Sequence, residues 1–234
     1  MGANRWRDEH EWPLARTRLT PMYLVSKGRA NTLSGDGALG ARPPQKAPPD
    51  RFTFDPRNPV PTAGGAVCCD PKIFPWGPMD QRAVELRPDV LVFTSPPLKQ
   101  DLEVTGPVRV VLYASTSAPD TYFTAKLVDV FPNGEARNLT DGILRIRYRS
   151  SLEKAELAKP GDVYRLTIDA GVTSNVFLPG HRVRVEISSS NFPRFDRNLN
   201  TGEDQGHSTR MAKSTNTVYH DREHPSALVV PVVP

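Results

Sequence analysis

The segment 180–202, GHRVRVEISSSNFPRFDRNLNTG, constrains the fold of this chain more than any other stretch. Its first part alternates strictly between apolar and charged residues. The apolar set is Val183, Val185 and Ile187, and the charged set is Arg182, Arg184 and Glu186. This period of two predicts a strand at 182–189 with one face in the core and one face in water. Serines, Pro193 and an Asn/Asp/Gly-rich run follow, and these residue types favour turns. We therefore expect a long central strand that feeds an ordered polar loop.

Other segments predict strands by the same criteria, at 90–94, 108–116, 121–131, 143–149, 163–169 and 227–233. One-face alternation of this kind is typical of antiparallel sheets. Only 152–158 predicts a helix, a short connector that Pro160 and Gly161 stop. The predicted core contains Val110, Leu112, Leu144, Ile146, Leu166, Ile168, Val183, Val185 and Ile187. The pattern predicts an all-β fold, a jelly-roll β-sandwich of the galactose-binding-like kind.

The chain has 234 residues, enough for one sandwich domain and an extension. We place the sandwich at 62–234 and interpret 1–61 as an extended, proline-rich linker. Both the linker and the aperiodic segment 66–77 contain large apolar side chains that need something to pack against. These are Trp6, Trp12, Met22, Tyr23, Phe74 and Trp76. The sequence predicts that they meet a partner surface, become buried in a homodimer, or fold back onto the sandwich.

Charge and cysteine content narrow the function classes. The formal net charge is +4, and the basic residues are scattered beside acidic ones, which indicates a solvated surface and not nucleic-acid binding. No apolar run reaches the roughly 18–20 residues of a membrane span, and the N-terminus lacks the apolar segment of a signal peptide. Cys68 and Cys69 are adjacent, and a bridge between neighbours is strained, so we expect buried thiols, with a redox pair as the alternative. These features favour a cytoplasmic protein.

No catalytic motif stands out in the sequence. The Gly-x-Ser-x-Gly pentapeptide of a nucleophile elbow is absent, and the histidines lack metal-ligand spacing. We expect neither a metal nor a cofactor. Four aspartates could still meet in a sandwich and form a calcium site or a glycosidase-like pair: Asp120, Asp129, Asp141 and Asp196. An autonomous enzyme with an unusual Asp/His or cysteine site therefore remains a rival hypothesis.

A carbohydrate- or ligand-binding module is the other alternative, because jelly rolls often bind sugars. Aromatic side chains that could stack on sugar rings are Trp76, Tyr113, Tyr122 and Phe195. This hypothesis predicts a concave face with exposed aromatic rings.

Three stretches carry a family resemblance: 117–149, 173–202 and 219–233. Together they resemble the C-terminal domain of the CocE/NonD hydrolases, which is shared with the X-Pro dipeptidyl-peptidases. That family includes cocaine esterase, the α-amino-acid ester hydrolases and glutaryl acylases. The segment 2–24 resembles the link by which such enzymes leave their catalytic domain, and 55–65 resembles the entry into the jelly roll.

The resemblance implies an accessory role. In the family the catalytic Ser, Asp and His lie on an α/β-hydrolase domain that precedes this region, and none of the histidines here matches the catalytic one. The chain alone is therefore expected to be inactive. By resemblance, Cys68, Cys69 and Asp70 help to wall the acyl pocket of the parent enzyme, and a further set contacts its catalytic domain. That set is Trp6, Trp12, Tyr23, Phe74 and Trp76.

Overall fold

The computed structural model describes residues 1–68, 70, 72 and 75–234. Its strands are β1 Arg18–Val25, β2 Ala38–Gly40, β3 Asp50–Phe54, β4 Leu91–Thr94, β5 Leu102–Thr116, β6 Tyr122–Val130, β7 Ala136–Arg145, β8 Tyr164–Phe177, β9 Arg182–Ser188, β10 Ser214–Tyr219 and β11 Ala227–Val233. A single-turn helix, α1, spans Arg82–Glu85, and a 3-10 turn spans Ile146–Tyr148. The fold is all-β, as the sequence predicts.

Strand β5 organises the first layer. It pairs antiparallel with β8 over most of its length, and with β11 and β10 at successive positions along its other edge. Beyond these, β11 pairs with β1 and β10 pairs with β3. The long β5–β8 ladder follows from two segments with sustained alternation of buried and exposed residues.

The second layer contains β4, β9, β6 and β7 in that order, all antiparallel. The short strand β2 joins the layers, because it pairs antiparallel with β1 and parallel with β4. Two such layers are consistent with a β-sandwich. The jelly-roll topology stays a prediction.

The core lies between the layers, where apolar side chains from β5, β8 and β11 meet those from β4, β6 and β9. The predicted core residues are buried, with the exception of Leu144, which is half-buried at the end of β7. Leu24, Phe52 and Phe54 are also buried. These residues come from the segment that the sequence suggested was a linker.

Strands β1, β2 and β3 all lie within residues 1–61, and they pair with strands from the rest of the chain. The proline-rich stretches therefore connect strands of the same sheet. That this segment leaves a catalytic domain stays a prediction, as does the boundary at 61/62.

One predicted element is wrong and another is wrong in part. Segment 152–158 is not helical, because the backbone N–H groups of Glu156 and Ala158 donate to the distant carbonyls of Arg147 and Pro119, each at 2.8 Å. The predicted strand 143–149 ends at Arg145. The N–H of Ile146 donates to the Thr121 carbonyl at 3.0 Å, and the chain enters the 3-10 turn.

The layers approach closely where β7 passes β8. Thr140 Oγ1 donates to the Ala170 carbonyl at 2.6 Å, and a Cβ at Gly142 would lie 1.8 Å from the Asp169 carbonyl oxygen. Only glycine allows this backbone approach.

Candidate functional site

The outer face of β9 is covered, which corrects the expectation that it faces water. Arg184 and Glu186 are only 7% and 3% exposed. The segment that contains α1 lies over this face, since Arg184 Nη1 pairs with Glu85 Oε2 at 2.6 Å. Arg184 Nε also donates to Thr94 Oγ1 at 2.8 Å. Arg184 and Glu186 thus belong to a buried polar layer and not to a solvated surface, whereas Arg182 at the start of β9 is half-buried.

Glu186 and Lys126 form the centre of this layer. Lys126 Nζ lies 3.5 Å from Glu186 Oε2 and donates to Gln81 Oε1 at 3.2 Å. Glu186 Oε1 accepts no hydrogen bond. Burial, together with the nearby Glu85 charge, raises the pKa of Glu186 to about 7, against the opposing effect of Lys126 and Arg184.

The segment 66–76 begins and ends next to this layer, at a double-glycine turn. The N–H of Gly65 donates to the Gly77 carbonyl at 2.8 Å, and the N–H of Gly77 donates to the Gly65 carbonyl at 3.0 Å. Gly64 and Gly65 have φ values of +68° and +92°, which favour glycine. We call Gly64, Gly65 and Gly77 the loop neck. It fixes the two ends of the loop against each other.

Amide side chains hold the incoming limb of the loop, at Ala63, and the outgoing limb, at Met79. Asn138 Oδ1 accepts from the Met79 N–H at 2.8 Å and from Gln81 Nε2 at 3.2 Å. Gln81 Nε2 also donates to the Ala63 carbonyl at 2.8 Å. Gln81 and Asn138 are buried. The incoming and outgoing limbs are therefore tied to β7 through one amide pair.

An ion pair lies directly beneath the neck. Arg194 Nη1 lies 2.7 Å from Asp141 Oδ1, and Asn191 Nδ2 donates to Asp141 Oδ2 at 2.9 Å. Burial raises the pKa of Asp141, although Arg194, Lys126 and Asn191 all act in the opposite direction. The polar loop after β9 supplies Asn191 and Arg194, so the segment that dominates the sequence also supports this site.

The described pocket-wall candidates lie between Gly65 and Gly77 and are exposed. Cys68 and Asp70 are exposed, and Trp76 is 47% exposed. Cys68 is disulfide-bonded, so the expectation of a buried thiol is wrong there. Cys69 and Phe74 lie outside the described residues.

The remaining predicted contact residues lie elsewhere. Trp6 is fully exposed, and with Trp12 it lines a groove of about 940 Å³ beside Glu103 and Val176. Tyr23 is half-buried in β1, opposite Ala227. The structure thus groups the N-terminal tryptophans with β5 and β8, separately from the neck.

A buried Ser/Asp/His cluster also occurs, and the sequence analysis missed it. Ser26 Oγ donates to Asp50 Oδ2 at 2.6 Å, and His220 Nε2 contacts both groups, at 3.0 and 2.9 Å. A catalytic triad uses both imidazole nitrogens and needs an accessible serine. Here one nitrogen makes both contacts and the His220 and Asp50 side chains are fully buried, so the cluster links β3 to the ends of β1 and β10.

The four aspartates considered above have different partners, and Asp196 Oδ1 accepts from the Arg197 N–H at 2.9 Å. Asp120 pairs with Arg145 at 2.6 Å, Asp129 with His181 at 2.8 Å, and Asp141 with Arg194. Among the described residues no group of three His, Cys, Asp or Glu side chains could hold a metal ion. Within the same residues no helix is long and apolar enough to cross a membrane.

Three of the candidate sugar-binding aromatics are half-buried and already packed. Tyr113 contacts His224, Tyr122 lies under Arg145, and Phe195 lies under Arg194. Only Trp76 in this set is exposed.

The described site is a loop neck on a buried polar support, in a β domain that also contains a buried Ser/Asp/His cluster. Residues 1–229 match the X-Pro dipeptidyl-peptidase C-terminal non-catalytic domain. The chain belongs to that family.

Known relatives are larger proteins. The chain is 46% identical to the cocaine esterase of Rhodococcus sp. (strain MB1 Bresler), with 100% of the chain covering 41% of that protein. It is 30% identical to a putative serine esterase of Mycobacterium bovis, again over 100% of the chain and 36% of the relative. The chain therefore spans about two fifths of the length of the relatives that it matches.

Solved structures give the same result. An aminopeptidase from a marine sediment archaeon, Thaumarchaeota archaeon, superposes with a TM-score of 0.86 at 30% identity, covering 100% of this chain and 39% of that one. An α-amino acid ester hydrolase superposes with a TM-score of 0.85 at 30% identity, covering 99% and 40%. The predicted resemblance to the C-terminal domain of the CocE/NonD hydrolases is confirmed.

Proposed function

We propose that this chain is the accessory β domain of a CocE/NonD-type serine hydrolase that cleaves ester or amide substrates. It packs on an α/β-hydrolase catalytic domain, and the loop at the neck helps to wall the acyl pocket. The domain contributes no nucleophile. Family membership, and the greater length of relatives that carry a catalytic domain in the same chain, support this proposal.

The observation that carries the proposal is the apolar surface around the neck. Trp76, Met79 and Phe192 are 47%, 37% and 36% exposed. Gly64 packs on the Met79 side chain, and the Thr62 N–H donates to the Phe192 carbonyl at 2.7 Å, so these residues adjoin the neck. Exposed apolar patches mark interaction surfaces more often than scattered residues do.

Activity of the chain alone is the first test. The chain is incubated with p-nitrophenyl acetate and with an aminoacyl-anilide. We expect no turnover, because acyl transfer needs an activated nucleophile and Ser26 is inaccessible. Turnover that follows the chain through successive purification steps would contradict the proposal, and its loss in Ser26→Ala or Cys68→Ala would locate the site.

A chimera is the second test. The matched 41% of the Rhodococcus cocaine esterase is replaced by this chain, and ester hydrolysis is measured. We expect an active enzyme in which Trp76→Ala raises KM. Leu152→Ala is the control, since Leu152 is 83% exposed but does not adjoin the neck. A folded but inactive chimera, or equal effects of the two substitutions, would contradict a role in the pocket wall.

A glycan array distinguishes the accessory-domain proposal from the carbohydrate-binding alternative. The accessory-domain proposal predicts no signal. Glycan binding that Trp76→Ala abolishes would favour the alternative.

A further inference from the structure

The Arg194 guanidinium lies beside the neck, and the gap between them is too small for a side chain on Gly65. A Cβ at Gly65 would lie 2.8 Å from Arg194 Nη1, 3.5 Å from Asn138 Nδ2 and 3.7 Å from Asp141 Oδ1. The Arg194 guanidinium therefore occupies the space that a side chain at Gly65 would need. If the guanidinium moves toward or away from the neck, the neck must move with it, because packed interiors transmit displacement.

Arg194 is fixed on several sides. Asp141 on β7 attracts its guanidinium at 2.7 Å as an ion pair, although Nη1 lacks the geometry of a hydrogen bond, and the centre of the Phe195 ring lies 5.1 Å from it. The Arg194 N–H donates to Thr62 Oγ1 at 3.2 Å, on the incoming limb of the loop. One residue thus contacts the sheet, the limb and the neck.

Arginine suits this position beneath the neck better than lysine would. The arginine guanidinium is planar and rigid, and it stays charged when it is partly buried, whereas a lysine ammonium is a flexible point charge. Removing Arg194 would leave Asp141 buried with only Asn191 and the more distant Lys126 to stabilise its charge. Asp141 and Arg194 therefore act as a unit.

We propose that Arg194, held by Asp141, is the positioning residue that sets the height of the neck, and that it thereby sets the acyl-group selectivity of the parent hydrolase. The inference rests on the proposed function, because it assumes that this loop walls the acyl pocket. Arg194 acts on substrate only through the loop.

Hydrogen exchange of the chain alone tests the mechanical part. The amides of Gly65 and Gly77 bond to each other's carbonyls, so their exchange reports closure of the neck. In Arg194→Ala we expect exchange at both amides to rise about tenfold, with Val110 in the core unchanged. In Arg194→Lys the exchange rates of both amides should lie between those of the parent chain and those of Arg194→Ala. Arg137→Ala is the matched control, because Arg137 pairs with Glu135 and does not contact the neck.

Unchanged exchange at Gly65 and Gly77 in Arg194→Ala would overturn the inference. If that variant fails to fold, the double variant Arg194→Met with Asp141→Asn keeps similar volume and leaves no unpaired buried charge. It should show the same local increase. A uniform increase across the chain would mean that the pair only stabilises the fold, which also overturns the inference.

Steady-state kinetics of the chimera with the cocaine esterase catalytic region test selectivity. We measure the ratio of the KM values for a bulky and a small acyl ester. In Arg194→Ala we expect this ratio to differ from that of the parent chimera by about fivefold or more, with kcat for p-nitrophenyl acetate within about twofold of the parent value. Arg194→Lys should restore part of the selectivity. Equal KM ratios in Arg194→Ala and the parent chimera would refute the selectivity claim. The proposed function fails on a different result, an inactive parent chimera.

Discussion

Glu186 has an electrostatic environment that makes folding depend on pH. Its pKa rises from 4.5 to about 7 on folding, because burial disfavours the charged form. Between these values the unfolded chain releases a proton that the folded chain retains. The stability contribution is therefore complete below pH 4.5 and decreases as pH rises to about 7, by about 3 kcal/mol.

Chemical denaturation at several pH values checks this prediction. In Glu186→Gln the decrease between pH 4.5 and 7 should be clearly smaller than in the parent, whatever the variant's absolute stability, and only the part due to other carboxyl groups with a raised pKa, such as Asp141, should remain. Glu156→Gln, at an exposed side chain, should retain the parent's pH dependence. The same slope in Glu186→Gln as in the parent would show that another group is responsible.

Gly142 carries a purely steric requirement. An alanine Cβ there would overlap the Asp169 carbonyl oxygen of β8, so we expect Gly142→Ala to lower stability by about 3 kcal/mol or more. Gly206→Ala is the control, since its nearest neighbour would be 3.6 Å away. Thermal unfolding of both variants measures the difference. Equal melting temperatures would mean that β7 and β8 can separate at little cost.

For individual residues, the alternation in β9 predicted which side chains enter the core but not what covers the other face of the strand. Val183, Val185 and Ile187 are buried as expected. Arg184 and Glu186 have the pattern of a solvated face, yet α1 supplies Glu85 and β6 supplies Lys126 to pair with them. Sequence alternation records the period of a strand and contains no information on which distant segment packs over it.

The strand β1 is the element that decides whether residues 1–61 can be detached. It pairs with β11 over Arg18–Tyr23, and its Leu24 is fully buried. Removing 1–12 should cost little, because the lost contacts include the exposed Arg7–Glu103 pair, and such pairs contribute about 1 kcal/mol or less. Removing 1–25 should give an insoluble or unfolded product, since it exposes β11 and empties a core position.

Solubility and circular dichroism of the two truncated chains check this expectation. A folded, soluble chain lacking 1–25 would show that the first segment is a separable linker, as the sequence suggested.

Among the elements, strands with long alternation were predictable, including β6, β9 and β11 within one residue at each end. The helix at 152–158 was not. Its composition suits a helix, but Pro119 and Arg147 supply carbonyl acceptors that replace the local hydrogen bonds. Strands β1 and β3 were missed because proline-rich neighbours obscured short runs whose pairing partners lie more than 150 residues away.

The molecule buries a hydrophobic core, and its exposed apolar residues include the N-terminal tryptophans and a group around the neck. Family membership could be predicted from the motifs in 117–149 and 173–202. The support of the neck could not, because Gly65, Asn138, Asp141 and Arg194 are dispersed along the sequence and meet only in the folded structure. Their residue types give no periodic signal, so only the close approach at Gly65 identifies them.

Direct binding to a catalytic domain tests the central claim. The chain is titrated, by calorimetry, with the separately produced catalytic region of the Rhodococcus cocaine esterase. We predict association with a Kd of about 10 µM or tighter, which Trp76→Asp weakens at least about tenfold and Leu152→Asp leaves unchanged. A stable, monomeric chain that shows no binding at about 100 µM of a folded catalytic region would contradict the account.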